Sequence, residues 1–205
     1  TNAGGGLLAY LAQHPQKITL ETSPRLQTRL LEMFATEMHR FTDGQVSKPR
    51  RVVIVDETPK QQYLYGEMQA FASLLKNSGI NTEISEPQQL KADAGGVTFK
   101  GDRGDLIYNR HCDFYLEDGT MTGLRDAYLN RAVCLTPNPH MYGLLADKRR
   151  LILWSDPLQR SKLPLPSNEQ ALLAACVPPS FLLADLDVDA IWKERKRWVF
   201  KPVAR

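Results

Sequence analysis

In SPRLQTRLLEMFATEMHRF, residues 23–41, apolar side chains recur at Leu26, Leu30, Leu31, Phe34 and Met38. Steps of three and four put them on one face of a helix. Ser23 suits an N-cap and Pro24 the first turn. Such a stripe needs a partner surface. From residue 50 the rhythm shortens. RRVVIVDE (50–57) is a β-branched run ending in acids, the pattern of a buried parallel strand. QQYLYGEMQAFASLLKNSG (61–79) predicts an amphipathic helix stopped by Gly79. INTEISE (80–86) predicts a second strand and GGVTFKGDRG (95–104) part of a small hairpin. DLIYNR (105–110) predicts a third strand, GLRDAYLNR (123–131) a helix and AVCLTP (132–137) a strand. The β-α-β order predicts a small open α/β sheet over residues 50–136.

The flanks read differently. GGGLLAYLAQ (4–13) predicts a glycine-rich loop entering a short apolar helix. Beyond the sheet, ADKRRLILWSD (146–156), NEQALLAAC (168–176) and DVDAIWKERKR (187–197) predict helices. PPSFLLAD (178–185) predicts a strand entered through prolines, and RWVFKPV (197–203) a closing strand.

Composition narrows the class without naming a function. Of 205 residues, 42% are hydrophobic and 24% charged, an ordinary globular balance. A net charge of +3 does not by itself imply a polyanionic partner. Basic residues do gather at Lys193, Arg195, Lys196 and Arg197, which reads as a solvated helix end. The three cysteines, Cys112, Cys134 and Cys176, show neither CxxC pairing nor metal-ligand spacing, which suits a reducing, cytoplasmic compartment. No apolar run is long enough to predict a membrane span. The chain opens as though in the middle of something, and both ends are expected to be cut.

Four stretches carry candidate chemistry. TNAGGG (1–6) offers backbone N–H groups to an anion, or is a flexible terminus. In DLIYNRHCDFYLED (105–118), Asn109 and Arg110 fall at a strand end, where ligands gather in open α/β sheets. Arg110 could hold a carboxylate or phosphate with two parallel bonds, or pair internally with an aspartate. His111 beside Cys112 is a poor nucleophile pair, because neighbours in an extended segment face opposite ways. In TPNPHMYGLLADKRRL (136–151) the prolines stiffen a turn from which Asn138 and His140 project, and Lys148 falls in the first turns of a helix. Lys201 sits in an apolar strand pattern, where an ammonium is costly to bury without an anion. Lys148 and Lys201 could meet the same anion.

NPHMYGLLADKRRLILWSD, then VPPSFLLAD, then RWVFKPV resembles the opening of an ATP-grasp nucleotide-binding fold. That fold carries a DK-containing helix, a proline-entered segment and a strand with a lysine before proline. DLIYNRHCDFYLED is similar to a segment of circularly permuted ATP-grasp proteins, the glutathionylspermidine-synthase-like relatives included. TNAGGG looks like the tail of their metal-site segment without its glutamate. The resemblance spans nearly the whole chain. It implies that Lys148 and Lys201 touch ATP, that Asn2 lies near the metal and triphosphate, and that Asn109 and Arg110 face the acceptor. The Mg²⁺ ligands and the glycine-rich lid would lie outside this chain. No residue within it is expected to act as acid, base or nucleophile.

The expected fold is α/β: a helical lead-in (1–49), a small open Rossmann-like, pre-ATP-grasp sheet (50–136) and the beginning of an ATP-grasp nucleotide-binding subdomain (137–205). The function this implies is part of an ATP-dependent ligase joining a carboxylate to an amine or thiol through an acyl phosphate, with small-molecule partners and neither nucleic acid nor membrane. This segment alone would be inactive. Two rivals stay open. One is a non-catalytic α/β ligand-binding module. The other is a nucleic-acid-binding domain using Lys193–Arg197, although the aromatic interleaving of single-strand binders is missing.

Overall fold

The structure, a computed structural model, describes residues 22–203, and side chains from residue 25 onward. The glycine-rich start, with Asn2 in it, lies outside the described residues. The chain divides at Pro139/His140 into two units.

The first unit is built on a four-stranded parallel sheet and a small antiparallel one. Helix α1 (Thr22–Phe41) precedes β1 (Arg51–Val55), α2 (Tyr65–Asn77) and β2 (Asn81–Ser85). Then come β3 (Lys91–Asp93), β4 (Gly96–Phe99) and β5 (Asp102–Arg103), followed by β6 (Leu106–Asn109), α3 (Thr122–Leu129) and β7 (Cys134–Thr136). The parallel sheet runs β2-β1-β6-β7, and β3-β4-β5 forms the antiparallel one. Val52 lies opposite Leu106 and Thr82, and Ile107 opposite Leu135.

Both faces of the parallel sheet are covered, which is why β1 and β6 are apolar at nearly every position. With a side-chain period of two, Val52, Ile54, Leu106, Tyr108 and Cys134 face α1 and α2. Val53, Val55, Ile107 and Leu135 face α3 and β4. The stripe expected on α1 finds its surface here, with Leu30, Phe34 and Met38 buried. Gly79 (φ 77°) stops α2, its N–H bonding to the Lys76 carbonyl while Ile80 N–H bonds back to Leu75. That paired capping arrangement is the reason a glycine stands there. The expected hairpin forms as β4–β5, with Lys100 (φ 54°) and Gly101 (φ 88°) supplying the left-handed turn that two-residue hairpins need.

Helix α3 packs tightly onto β3. A methyl group added at Gly123 would overlap the Ala92 carbonyl oxygen and stand 2.9 Å from its carbon. Backbone cannot step aside as a flexible side chain can. Gly123→Ala is expected to destabilise the first unit by about 1–3 kcal/mol, the usual effect of overpacking. Urea denaturation reads it, and an unchanged midpoint would mean that α3 and β3 sit further apart.

The second unit is helical among the described residues: α4 (Pro139–Leu145), α5 (Arg150–Ser155), α6 (Pro157–Arg160), α7 (Ser167–Cys176) and α8 (Val188–Lys193). Several expectations are corrected here. PPSFLLAD is not a strand; it is irregular up to a single 3-10 turn at Leu183–Asp185. RWVFKPV is extended at Trp198 but joins no sheet, so Lys201 is not a strand lysine. A strand is held by its ladder, and neither segment has a ladder partner among the described residues. Each also contains prolines, which cannot donate to one. Phe181, Val199 and Phe200 are therefore more than half exposed. Pro139 begins α4 and does not stiffen a turn, so His140 lies in a helix. Lys148 precedes α5 and does not lie inside it: it stands in a turn whose Asp147 carboxylate accepts the Arg149 N–H (2.9 Å), and the helix begins at Arg150. No described helix is long and apolar enough to cross a membrane.

Candidate functional site

After β1 the chain passes through α2 to β2 on one side of the sheet. After β6 it passes through α3 to β7 on the other. The two connections diverge between the adjacent carboxyl ends of β1 and β6, the place where open α/β sheets bind ligands. Five polar side chains of this chain collect there.

The strand ends are fastened first. The Val55 carbonyl accepts N–H bonds from both Arg110 (2.7 Å) and His111 (3.1 Å). Asn109 Oδ1 also accepts from His111 N–H (3.1 Å). His111 Nδ1 accepts the Asp113 N–H (3.0 Å), so a neutral ring carries its proton on Nε2. His111 is buried and Cys112 exposed, which removes them as a pair facing one site. Cys134 is buried in the core, which pushes its thiol up to about 12.

Two buried carboxyls stand near Arg110. Asp56 follows β1, and its Oδ1 accepts the Glu57 N–H (2.8 Å). Burial raises its pKa above the ordinary range; that bond and the nearby His111 and Arg110 oppose the rise. Glu67, in the first turn of α2, reaches Arg110 Nη2 at 3.2 Å, with the two side chains 5% and 11% exposed. Burial raises the Glu67 carboxyl too, and Arg110 holds it down in part. The guanidinium also lies over the Tyr108 ring, 5.7 Å from its centre. Burial lifts the Tyr108 phenol above its ordinary value.

Arg110 thus has an internal partner, but it is a glutamate of α2 and not a loop aspartate. Sequence reasoning did not single out Glu67. Its signal was its place on the buried stripe, one residue before Met68 and four before Phe71. At this cluster two buried donors have no partner, Asn109 Nδ2 and Arg110 Nε, and Glu67 Oε1 stands within ion-pair range of Arg110 without accepting a hydrogen bond. Such atoms destabilise a fold by about 1–3 kcal/mol each, and they ask for an explanation where they persist.

Lys148 and Lys201 belong to the second unit. Lys148 is half-buried, in a turn where Asp147, held near a pKa of about 2 by its bonds to Arg149, faces Arg149. Lys201 is exposed. The two segments touch at one point: the Lys148 N–H lies 3.5 Å from the Val203 carbonyl. The Lys193–Arg197 cluster is exposed. Among the described residues no three His, Cys, Asp or Glu side chains gather as a metal site.

The class these features define is a mixed α/β protein whose parallel sheet carries a polar cluster at its strand ends. Compared with models of known protein families, the chain matches none. A comparison with curated proteins likewise finds no match.

Proposed function

We propose that the chain is part of an ATP-dependent ligase of the circularly permuted ATP-grasp type, joining a carboxylate to an amine or thiol. The first unit is then the Rossmann-like, pre-ATP-grasp part, holding the acceptor at Asn109 and Arg110. The second begins the nucleotide site. One observation supports the reading: the Lys148 N–H meets the carbonyl of Val203, two residues after Lys201 and far from Lys148 in sequence, at 3.5 Å. Lysine serves phosphate as a mobile point charge, so two of them on neighbouring segments suit a triphosphate. ATP, when bound, supplies the phosphoryl group that activates the carboxylate. Lys148 and Lys201 bind and neutralise charge; neither moves a proton. No described residue is assigned to Mg²⁺, and Asn2 keeps its expected place near the triphosphate on resemblance alone. The two unpartnered donors, Asn109 Nδ2 and Arg110 Nε, are the groups a polar acceptor would engage.

The test is calorimetry of Mg-ATP binding to the full-length protein. Charge-assisted bonds contribute about 1.5–3 kcal/mol. Lys148→Met and Lys201→Met should therefore each weaken ATP roughly tenfold to hundredfold. Lys196→Met, in the exposed cluster, should stay within about twofold. Wild-type affinity in both site variants would remove the nucleotide half of the proposal.

A further inference from the structure

A cavity of about 870 Å³ opens on the first unit, and neither Glu67 nor Arg110 lines it. Its walls come from three separate turns. One is the connection after β1, with Thr58 and Lys60; one runs from the end of β2 into β3, with Glu86 and Lys91; the third is the β4–β5 turn, with Lys100. Its charged lining is thus three lysines against one glutamate, a net of +2. Lys60 and Lys91 have no acid within ion-pair range among the described residues, whereas Lys100 stands 3.5 Å from Glu83 and over the Phe99 ring.

Each turn is held in place independently. Arg51, buried under the hairpin, donates to the Phe99 carbonyl (3.0 Å) and pairs with Asp102, which fixes the Lys100 turn against β1. Gln89 Oε1 accepts from Ser85 Oγ (3.1 Å) and Glu86 N–H (3.2 Å), fixing the approach to Lys91. Gln62 Nε2 donates to the Glu57 carbonyl (2.6 Å) and closes the turn bearing Lys60. That last turn contains a strained residue. Thr58 lies at φ 42°, ψ 57°, left-handed, although it is β-branched and precedes Pro59. β-Branching disfavours that region, and a following proline favours extended backbone. Strain of this kind gathers at ligand clamps.

The geometry points to a second binding site here, for a small anion bearing two or more phosphate groups. Three lysines on three braced turns line one cavity, Lys60 and Lys91 without an acid in ion-pair range among the described residues, and the ~870 Å³ volume is within the range of small-ligand sites. The site shares no residue with the nucleotide lysines Lys148 and Lys201. Asp56 precedes Thr58 by two residues, so an occupied cavity and the strand-end cluster meet through one short loop.

The probe is inorganic tripolyphosphate, titrated into the full-length protein at 0.1 M salt and read by calorimetry. Ion pairs at exposed lysines are worth up to about fivefold each. Lys60→Ala and Lys91→Ala should therefore each weaken binding by about fivefold, and the double variant by roughly twentyfold. Lys76→Ala, a lysine outside the cavity, should change it by less than about twofold. Thermal midpoints should not move, since both cavity lysines are exposed. Unchanged affinity in the double variant, an equal loss in Lys76→Ala, or no wild-type binding at millimolar tripolyphosphate would overturn the site. Lys201→Met separates the two proposals. If it weakens ATP binding tenfold or more but spares tripolyphosphate binding, both stand. If the double cavity variant alone abolishes ATP binding, the cavity stands and the ATP-grasp reading falls.

Discussion

Glu67→Gln is expected to lower the unfolding free energy by about 3–5 kcal/mol, the range for breaking one side of a buried ion pair. The pair is buried on both sides and 3.2 Å apart. Losing Glu67 leaves a guanidinium that cannot shed its proton, so the deficit is present at neutral pH and shrinks in acid, where the wild-type Glu67 is itself protonated. Arg110→Met removes the other partner. It leaves a carboxyl that can neutralise itself by taking up a proton. Near neutral pH its deficit should match that of Glu67→Gln, and it should shrink as pH falls toward about 4. Glu67→Leu combined with Arg110→Met should recover much of the loss, because apolar replacement of a buried pair is often neutral. The sign for the wild type follows from the same carboxyls. Folding raises the pKa of both Asp56 and Glu67. Their contribution is therefore fully present below the unfolded carboxylate range, about 4, and is lost as pH rises through the raised values. Urea denaturation across pH checks all of this. Single variants within about 1 kcal/mol of the wild type would show that the pair is solvated.

Phe71→Ala is expected to destabilise the first unit by a similar amount, about 3–5 kcal/mol. Phe71, Phe34 and Tyr108 form a triangle of nearly perpendicular rings, with centres 5.3–6.0 Å apart. All three are almost wholly buried. Truncating one ring leaves a cavity between α1, α2 and the sheet, and forfeits two edge-to-face contacts of about 0.5–1.5 kcal/mol each. Phe71→Leu, which refills most of that space, should lose about half as much. The change reaches the candidate site, because Tyr108 is the ring under Arg110. Near-ultraviolet circular dichroism should weaken along with stability. A loss below about 1 kcal/mol would mean that α2 collapses onto the sheet.

Much of the first unit was legible because its signals are local. The apolar runs at 51–55 and 106–109 formed strands because both faces of such a run can be buried at once. Gly79 ended α2 because few other residues accept its φ, and Lys100–Gly101 turned the hairpin for the same reason. Lys148 and Lys201 were singled out from motif spacing, and a backbone bond joins Lys148 to Val203 near Lys201. The same spacing misjudged RWVFKPV and PPSFLLAD. An apolar run becomes a strand only when another backbone pairs with it, and apolar residues alone do not say whether a partner exists.

The sequence by itself determined which stretches bury an apolar face, where helices stop and which residues end the strands. Local sterics and side-chain period suffice for those. Only the tertiary structure decided that β6 lies beside β1, and so that Arg110 meets Glu67 across 3.2 Å. It alone gathered Lys60, Lys91 and Lys100 around one cavity. Charges carry no periodicity that announces a distant partner. Their pairing follows from the order in which strands are laid into the sheet, which is a property of the whole packed chain.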